Sequence, residues 1–307
     1  MRLVDNLVSW SGYIPIYPRP KREIFYLGTI NHRWERSEPI CARPSHIGRE
    51  PMVIHGCGVP HRYLSEYSRT GRLLGGETIT AHQFPWVAAV NVASRSIGGS
   101  LISDRHVVTA ASPLYGKSFN EVSVTLGVHD RCGNGSDPVL NTSVSDIIIH
   151  PSFSPTNRDN DIALLRLRHV VSFGRFISPI CMPHYGAPES GQVAWTVAWS
   201  GTANNESCTP RVATLPILPT RSCLKVSVDS NLVTPDKGCL GPLGVRNVIC
   251  EADVGAPIMQ RHPGFSFRLA GVVSSSSCDR VASPLYTRII DHAGWIYQHT
   301  HSDCQCL

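Results

Sequence analysis

One stretch near the C-terminal end collects groups that chemistry would need and omits the decisive one. Cys250-Glu251-Ala252-Asp253-Val254-Gly255-Ala256-Pro257 carries a thiol, two carboxylates and, between Asp253 and Gly255, a hydrocarbon. The isopropyl group of Val254 has no lone pair and no acidic proton, so it can neither attack a carbonyl nor hold an acyl group. A second concentration lies in the tail, where His299, His301, Cys304 and Cys306 read His-x-His-x-x-Cys-x-Cys. That spacing would suit a soft divalent metal. In a short tail the same residues more often form a disulfide or nothing, so no metal and no cofactor is expected. Three triplets starting at Asn134, Asn141 and Asn205 match the glycan acceptor pattern, each in a predicted loop or at a strand start.

The whole chain sets the context for these groups. Its 307 residues have room for one large or two ordinary domains. A hydrophobic content of 42% with 17% charged residues suits a folded globular protein. Eleven cysteines point to an oxidising compartment. No run of about 18 apolar residues occurs, so no membrane span is expected. Asn6 to Pro18 makes a poor secretory leader, because Gly12, Pro15 and Pro18 interrupt it and no small-residue cleavage site follows. The secreted assignment therefore rests on the cysteines. Residues 1–72 hold eleven Lys/Arg and six Asp/Glu, which accounts for the whole net charge of +5. This basic excess reads as a solvated leader before it reads as a docking surface, and no nucleic-acid partner is expected. Residues 1–56 show neither helical nor strand periodicity and are broken by prolines, so they are expected to be irregular.

From Cys57 to His299 the chain resembles the trypsin-like serine peptidases. That family's nucleophile loop reads Cys-x-Gly-Asp-Ser-Gly-Gly-Pro, and Cys250 to Pro257 keeps the cysteine, the aspartate, one glycine and the proline, with Val254 in the serine's slot. His106-Val107-Val108-Thr109-Ala110-Ala111 resembles the strand that carries the family's general base, and Ser112 stands where the histidine would be. Asp161-Ile162-Ala163-Leu164 matches the strand bearing the triad's acid. Arg72-Leu73-Leu74-Gly75-Gly76 resembles an activation site. The resemblance implies cleavage after Arg72 and an ion pair between the new Leu73 ammonium and Asp253, since a buried carboxylate needs a counter-charge. It also implies the fold: all-β, two packed six-stranded Greek-key β-barrels with a C-terminal helix, preceded by the irregular N-terminal segment. The domain plan is 1–56 irregular, 57–72 propeptide tether, 73–302 peptidase-like domain and 303–307 a cysteine-containing tail.

Individual elements follow the same pattern. Strands are expected at Ile97–Ile102 and His106–Ala111 with a turn at Ser103–Arg105, and again at Val122–Val128 and Val144–His150. Cys223 and Cys239 are expected to flank a loop. A helix is expected from Ile289, with Ile289, Ala293 and Ile296 as its buried stripe. Val128 and Pro138 stand where the family's calcium loop has carboxylates, so no calcium site is implied. Val248 matches the base of the specificity pocket, which would be apolar.

The resemblance implies disulfides Cys57–Cys181, Cys223–Cys239 and Cys250–Cys278. Two further family bridges are missing at both ends, with Ile97 and Pro113 replacing one pair and Ala194 and Gln260 the other. Loss in pairs is the mark of a folded protein whose core has been rebuilt, and compensating packing is expected around Ile97 and Ala194. Cys41, Cys132, Cys208, Cys304 and Cys306 remain without assigned partners. Five is odd, so a free thiol or a disulfide-linked oligomer is open.

A hydroxyl at Ser112 does not accept a proton near neutral pH as imidazole does, and Asp161 is left with nothing to orient except Ser112 and nearby amides. The expected function is therefore a non-catalytic peptidase homologue that binds another secreted protein, a protease, zymogen or inhibitor, and is switched by cleavage after Arg72. One alternative is an endopeptidase with residual or relocated chemistry. The other is a secreted scaffold crosslinked through its odd cysteine.

Overall fold

The computed structural model describes residues 56–60, 77–133, 139–183, 190–199, 207–227, 229–241, 249, 253–262, 266–276 and 283–304. Arg72, Leu73, Asn134, Asn205, Val248, Cys250, Cys278, Cys41 and Cys306 lie outside them, as does the Cys250–Cys278 pair.

The first barrel is closed. Its strands are β2 (Val87–Val92), β3 (Arg95–Leu101), β4 (His106–Thr109), β5 (Val122–Leu126), β6 (Leu140–Ile149) and β7 (Ala163–Leu167), joined in the order β2-β3-β4-β7-β6-β5. The period-two pattern of β5, with Val122, Val124 and Leu126 buried and Ser123 exposed, shows why such a sequence sits on a pleated wall. The second sheet contains β8 (Val193–Ala198), β9 (Arg211–Pro216), β10 (Lys237–Cys239), β11 (Pro257–Arg261), β12 (Phe267–Ser275) and β13 (Leu285–Arg288). An unforeseen seventh strand, β1 (Glu77–Thr78), adds to the edge of β9. The order is β1-β9-β8-β11-β12-β13-β10, and a single bridge from Ile217 to Leu240 joins β9 to β10 and rounds off the second barrel.

Aromatic side chains fill the space between strands. Trp86 is fully buried, its ring 5.7 Å from Phe84 and 5.9 Å from Phe267, and Trp195 meets Phe267 at 5.7 Å. The indole N–H of Trp86 points at Met259 Sδ, 3.0 Å away. Ile97 is buried in this core. Ala194 lies directly opposite Gln260 across β8 and β11, and Gln260 Nε2 donates to Gln192 Oε1 at 2.6 Å. The two positions without cysteine are thus filled by packing and an amide pair.

Besides β1, and β6, which begins at Leu140 instead of Val144, two helices depart from the sequence expectation. The segment around Cys223 is not simply a loop, because it contains helix α1 (Thr220–Val226). Helix α2 (Ile289–Thr300) starts where expected, but its buried face is Ile289, His292, Ile296 and Thr300, while Ala293 is only half-buried. His292 turns inward because a carboxylate waits there, as described below.

Three disulfides join described residues: Cys57–Cys181, Cys223–Cys239 and Cys132–Cys208. Cys304 is also disulfide-bonded. The tail is not loose at that point. Cys304 is buried, its N–H donates to Asp104 Oδ1 at 3.1 Å, Ser103 Oγ donates to Asp303 Oδ2 at 2.8 Å, and His106 pairs with the same carboxylate.

Candidate functional site

The ladder between β4 and β7 sets Thr109 opposite Ala163. Ser112 lies three residues past the first and Asp161 two residues before the second, so strand register alone delivers them to each other. The Ser112 main-chain N–H donates to Asp161 Oδ1 at 2.7 Å, and Ser112 Oγ donates to Asp161 Oδ2 at 3.0 Å. A third donor comes from the other barrel, Ser274 Oγ on β12, 2.6 Å from the same Oδ2. The main-chain carbonyl of Asp161 accepts from Thr287 Oγ1 at 3.0 Å.

Asp161 is fully buried. Burial pushes its carboxyl up from the ordinary aspartate range, against the hydrogen bonds from Ser274 and Ser112 and the charge of Lys237, which pull it down. In this arrangement the carboxylate is a satisfied acceptor. It is far too weak a base to deprotonate the Ser112 hydroxyl at neutral pH, and it holds no imidazole that could do so.

The Asp253–Ala256 turn is built on close approach. Gly255 has a left-handed φ of 88°, its N–H donates to Val273 O at 2.8 Å, and Ala256 N donates to Asp253 O at 2.9 Å. A Cβ at Gly255 would run into Gly98 O and Thr109 Oγ1, which are themselves joined by a 2.7 Å hydrogen bond. Only glycine meets both demands. The turn is then tied to β3 by Gly98 N donating to Val254 O at 3.0 Å. Val254 itself is 4% exposed and belongs to the main apolar core, and Asp253 is equally buried. Val254 therefore sits on a tight turn and packs as a core residue.

A charged cluster that spacing did not reveal lies beside this site. Lys237, on β10, is fully buried and its Nζ donates to Asp236 Oδ2 at 2.9 Å and to Arg158 O at 2.7 Å. Asp236 also accepts from Thr234 Oγ1 at 2.5 Å and lies 3.5 Å from His292 Nε2 on α2. Burial by itself would raise Asp236. The neighbouring His292 ring, the Lys237 charge and the hydrogen bonds from Thr234 and Lys237 outweigh it and hold the carboxyl well below the usual carboxylate range. The one signal in the sequence was the adjacent Asp236-Lys237 pair just before Gly238-Cys239, and such pairs are common on surfaces.

Metal chemistry finds little purchase in the described residues. Asp130, Cys132 and Cys208 converge, but the two sulfurs are bonded to each other and Asp130 Oδ1 accepts from the Cys132 and Gly133 amides. In the tail, Cys304 is consumed by a disulfide, and His301 Nδ1 sits 3.0 Å from Gln298 O. Asn141, on β6, is exposed, and its Oδ1 accepts from Thr125 Oγ1 at 2.8 Å.

Comparisons with known proteins agree with this geometry. The family model described as Trypsin matches residues 73–296. Phenoloxidase-activating factor 3 of Holotrichia diomphalia is 31% identical over 254 residues, covering 74% of this chain and 72% of that protein. Transmembrane protease serine 5 of Homo sapiens is 30% identical, with 74% of this chain and 51% of the relative covered. Melanization protease 1 of Drosophila melanogaster is 30% identical, with 73% and 64% covered. The chain thus spans about half to three-quarters of the length of these relatives. With two barrels in the required order and the Asp161 strand and Asp253–Ala256 turn meeting at their interface, this chain belongs to the trypsin-like serine peptidase family.

Proposed function

We propose that this chain is a non-catalytic member of its family that works by binding another secreted protein. One observation carries the reading: the nucleophile slot holds a buried valine while the general-base slot holds a serine whose hydroxyl and amide both donate to Asp161. With two of three triad groups replaced, the most that positioning and an oxyanion site could retain is roughly 10³–10⁴-fold over water, far below a working peptidase. The tightly packed frame around it, with Gly98 N donating to Val254 O and no room for a Cβ at Gly255, supports a folded binding shape. The partner class is a protease, a zymogen or an inhibitor. Two relatives are named for phenoloxidase activation and for melanization, which makes a partner from a proteolytic activation system the first to try. Cleavage after Arg72, pairing Leu73 with Asp253, would act as a shape switch, and Asn134, Asn141 and Asn205 would carry glycans.

The test is a fluorophosphonate probe applied to the Arg72-cleaved protein. No covalent labelling at any serine is expected, and labelling of Ser112 or any other serine would overturn the proposal. The odd cysteine count favours a second reading, a crosslinked scaffold. Non-reducing electrophoresis decides it, since a clean monomer removes it and a dimer or ladder supports it.

A further inference from the structure

Strand β12 skips one residue in its ladders at Ser274, just before the strand ends. On the β11 side the last pair is Val272 with Pro257, after which Val273 N donates to Ala256 O and Val273 O accepts from Gly255 N. On the β13 side the register steps from Val273–Tyr286 to Ser275–Leu285 and passes over Ser274. Ser274 is paired in neither ladder, and it sits against the candidate site through its hydroxyl on Asp161. A main-chain carbonyl left at a strand end is where an extended peptide adds itself, donating an N–H to it.

That carbonyl is taken. Arg158 Nη1 donates to Ser274 O at 2.6 Å, reaching across from the first barrel, 116 residues away in sequence. The backbone of Arg158 is in the left-handed region, with φ of 56°, which a non-glycine residue adopts only when its surroundings hold it there. What holds it is visible: the Arg158 carbonyl accepts from the buried Lys237 ammonium, which is itself anchored on Asp236. Two residues on, Asn160 is also left-handed, with φ of 52°. The segment from Arg158 to Asp161 therefore grips Ser274 twice, by its carbonyl and by its hydroxyl.

We propose that Arg158 is a built-in occupant of the β12 strand end: its guanidinium stands in for the N–H of an extended peptide at Ser274 O and keeps this site closed to peptide ligands. The inference goes beyond the absence of catalysis and does not depend on it, because it concerns binding. It places the protein–protein surface away from this strand end unless a ligand displaces Arg158. A displacing peptide would offer its own main-chain N–H to Ser274 O.

The experiment titrates a fluorescein-labelled, proline-free randomised octapeptide pool against wild type and Arg158→Ala, with a backbone N-methylated pool as control. R158A is expected to bind the unmethylated pool roughly tenfold more tightly than wild type, the scale of one hydrogen bond to a charged group. The gain is expected to vanish with the N-methylated pool, which has no N–H to donate. Equal affinities for the two proteins, including no binding by either, would overturn the proposal. So would a gain that survives N-methylation, which would mean that a side-chain pocket had opened instead. If R158A fails to fold, Arg158→Met, which keeps the apolar stem and loses the donors, carries the same expectation. Fluorophosphonate labelling of the wild type would defeat the non-catalytic reading and leave this one standing.

Discussion

At the scale of single residues, the proposed loss of catalysis rests on Val254 and Ser112. Restoring a hydroxyl at position 254 alone supplies a nucleophile without a base, since Asp161 is satisfied by three donors and its partner Ser112 is no proton acceptor. The Val254→Ser variant is therefore expected to show no peptide-anilide hydrolysis above wild type. It is also expected to lose about 1–3 kcal/mol of stability, because two methyl groups leave a buried position and a hydroxyl enters it. Steady turnover by V254S would show that a base has been overlooked. The pairing of Asp161 with Ser112 and the turn at Gly255 were legible in the sequence, because local motifs carry them: Val254 lies one residue from Gly255, and Asp161 precedes an apolar strand. What each slot's occupant does was not legible. Burial of Val254 depends on the core packed against it, and the fully donated state of Asp161 depends on Ser274, which lies 113 residues away.

Among the elements, β10 and α2 are coupled by one carboxylate. Asp236 faces Lys237, Thr234 and His292, and His292 meets the ring of His150 at 4.9 Å. Replacing Asp236 with Asn leaves the buried Lys237 charge uncompensated and is expected to cost about 3–5 kcal/mol at neutral pH, read as a lowered midpoint in urea. The pH dependence has a definite sign. The folded-state pKa of Asp236 is depressed below its unfolded value of about 3.9. Its stabilisation is therefore complete above that value and is lost as pH falls through the folded value. Wild type should lose stability on acidification below about pH 4 more steeply than D236N. Equal slopes would mean that the carboxyl is not held ionised by its neighbours. This coupling also explains why the helix stripe was misjudged. A 3.6-residue period with apolar anchors selects Ala293, but His292 is the residue drawn in, because a buried acceptor for it arrives from a different part of the chain.

For the molecule as a whole, disulfides hold together what cleavage would divide. Cys57 lies before Arg72 and is bonded to Cys181, 124 residues on. A single cut after Arg72 should give one species on a non-reducing gel and two only after reduction, and separation without reductant would show that the tether is absent. Cys132–Cys208 ties the turn after β5 to the segment before β9, with Arg131 N donating to Cys208 O at 2.9 Å. Its replacement by a serine pair is expected to cost about 2–5 kcal/mol, measured as a fall in denaturation midpoint with the barrel-1 disposition of Ser112 and Asp161 unchanged. Parity of the cysteines warned that the five unassigned could not all pair, but the choice of Cys132 with Cys208 needed both loops to be brought to the same edge.

The amino-acid sequence by itself determined the double-barrel architecture, through its resemblance to the trypsin-like family, and the starting point of the C-terminal helix. These follow from short-range patterns: alternation along strands, glycine where no Cβ fits, and motifs a few residues long. The tertiary structure alone decided that Asp161 is shared by Ser112 and Ser274, that Arg158 donates to the Ser274 carbonyl, and that Lys237 and His292 meet on Asp236. Those contacts join chain segments about 50 to 115 residues apart. Their existence depends on the register of the closed first barrel and of the second sheet, a quantity set by the sum of all packing and not written at any one position.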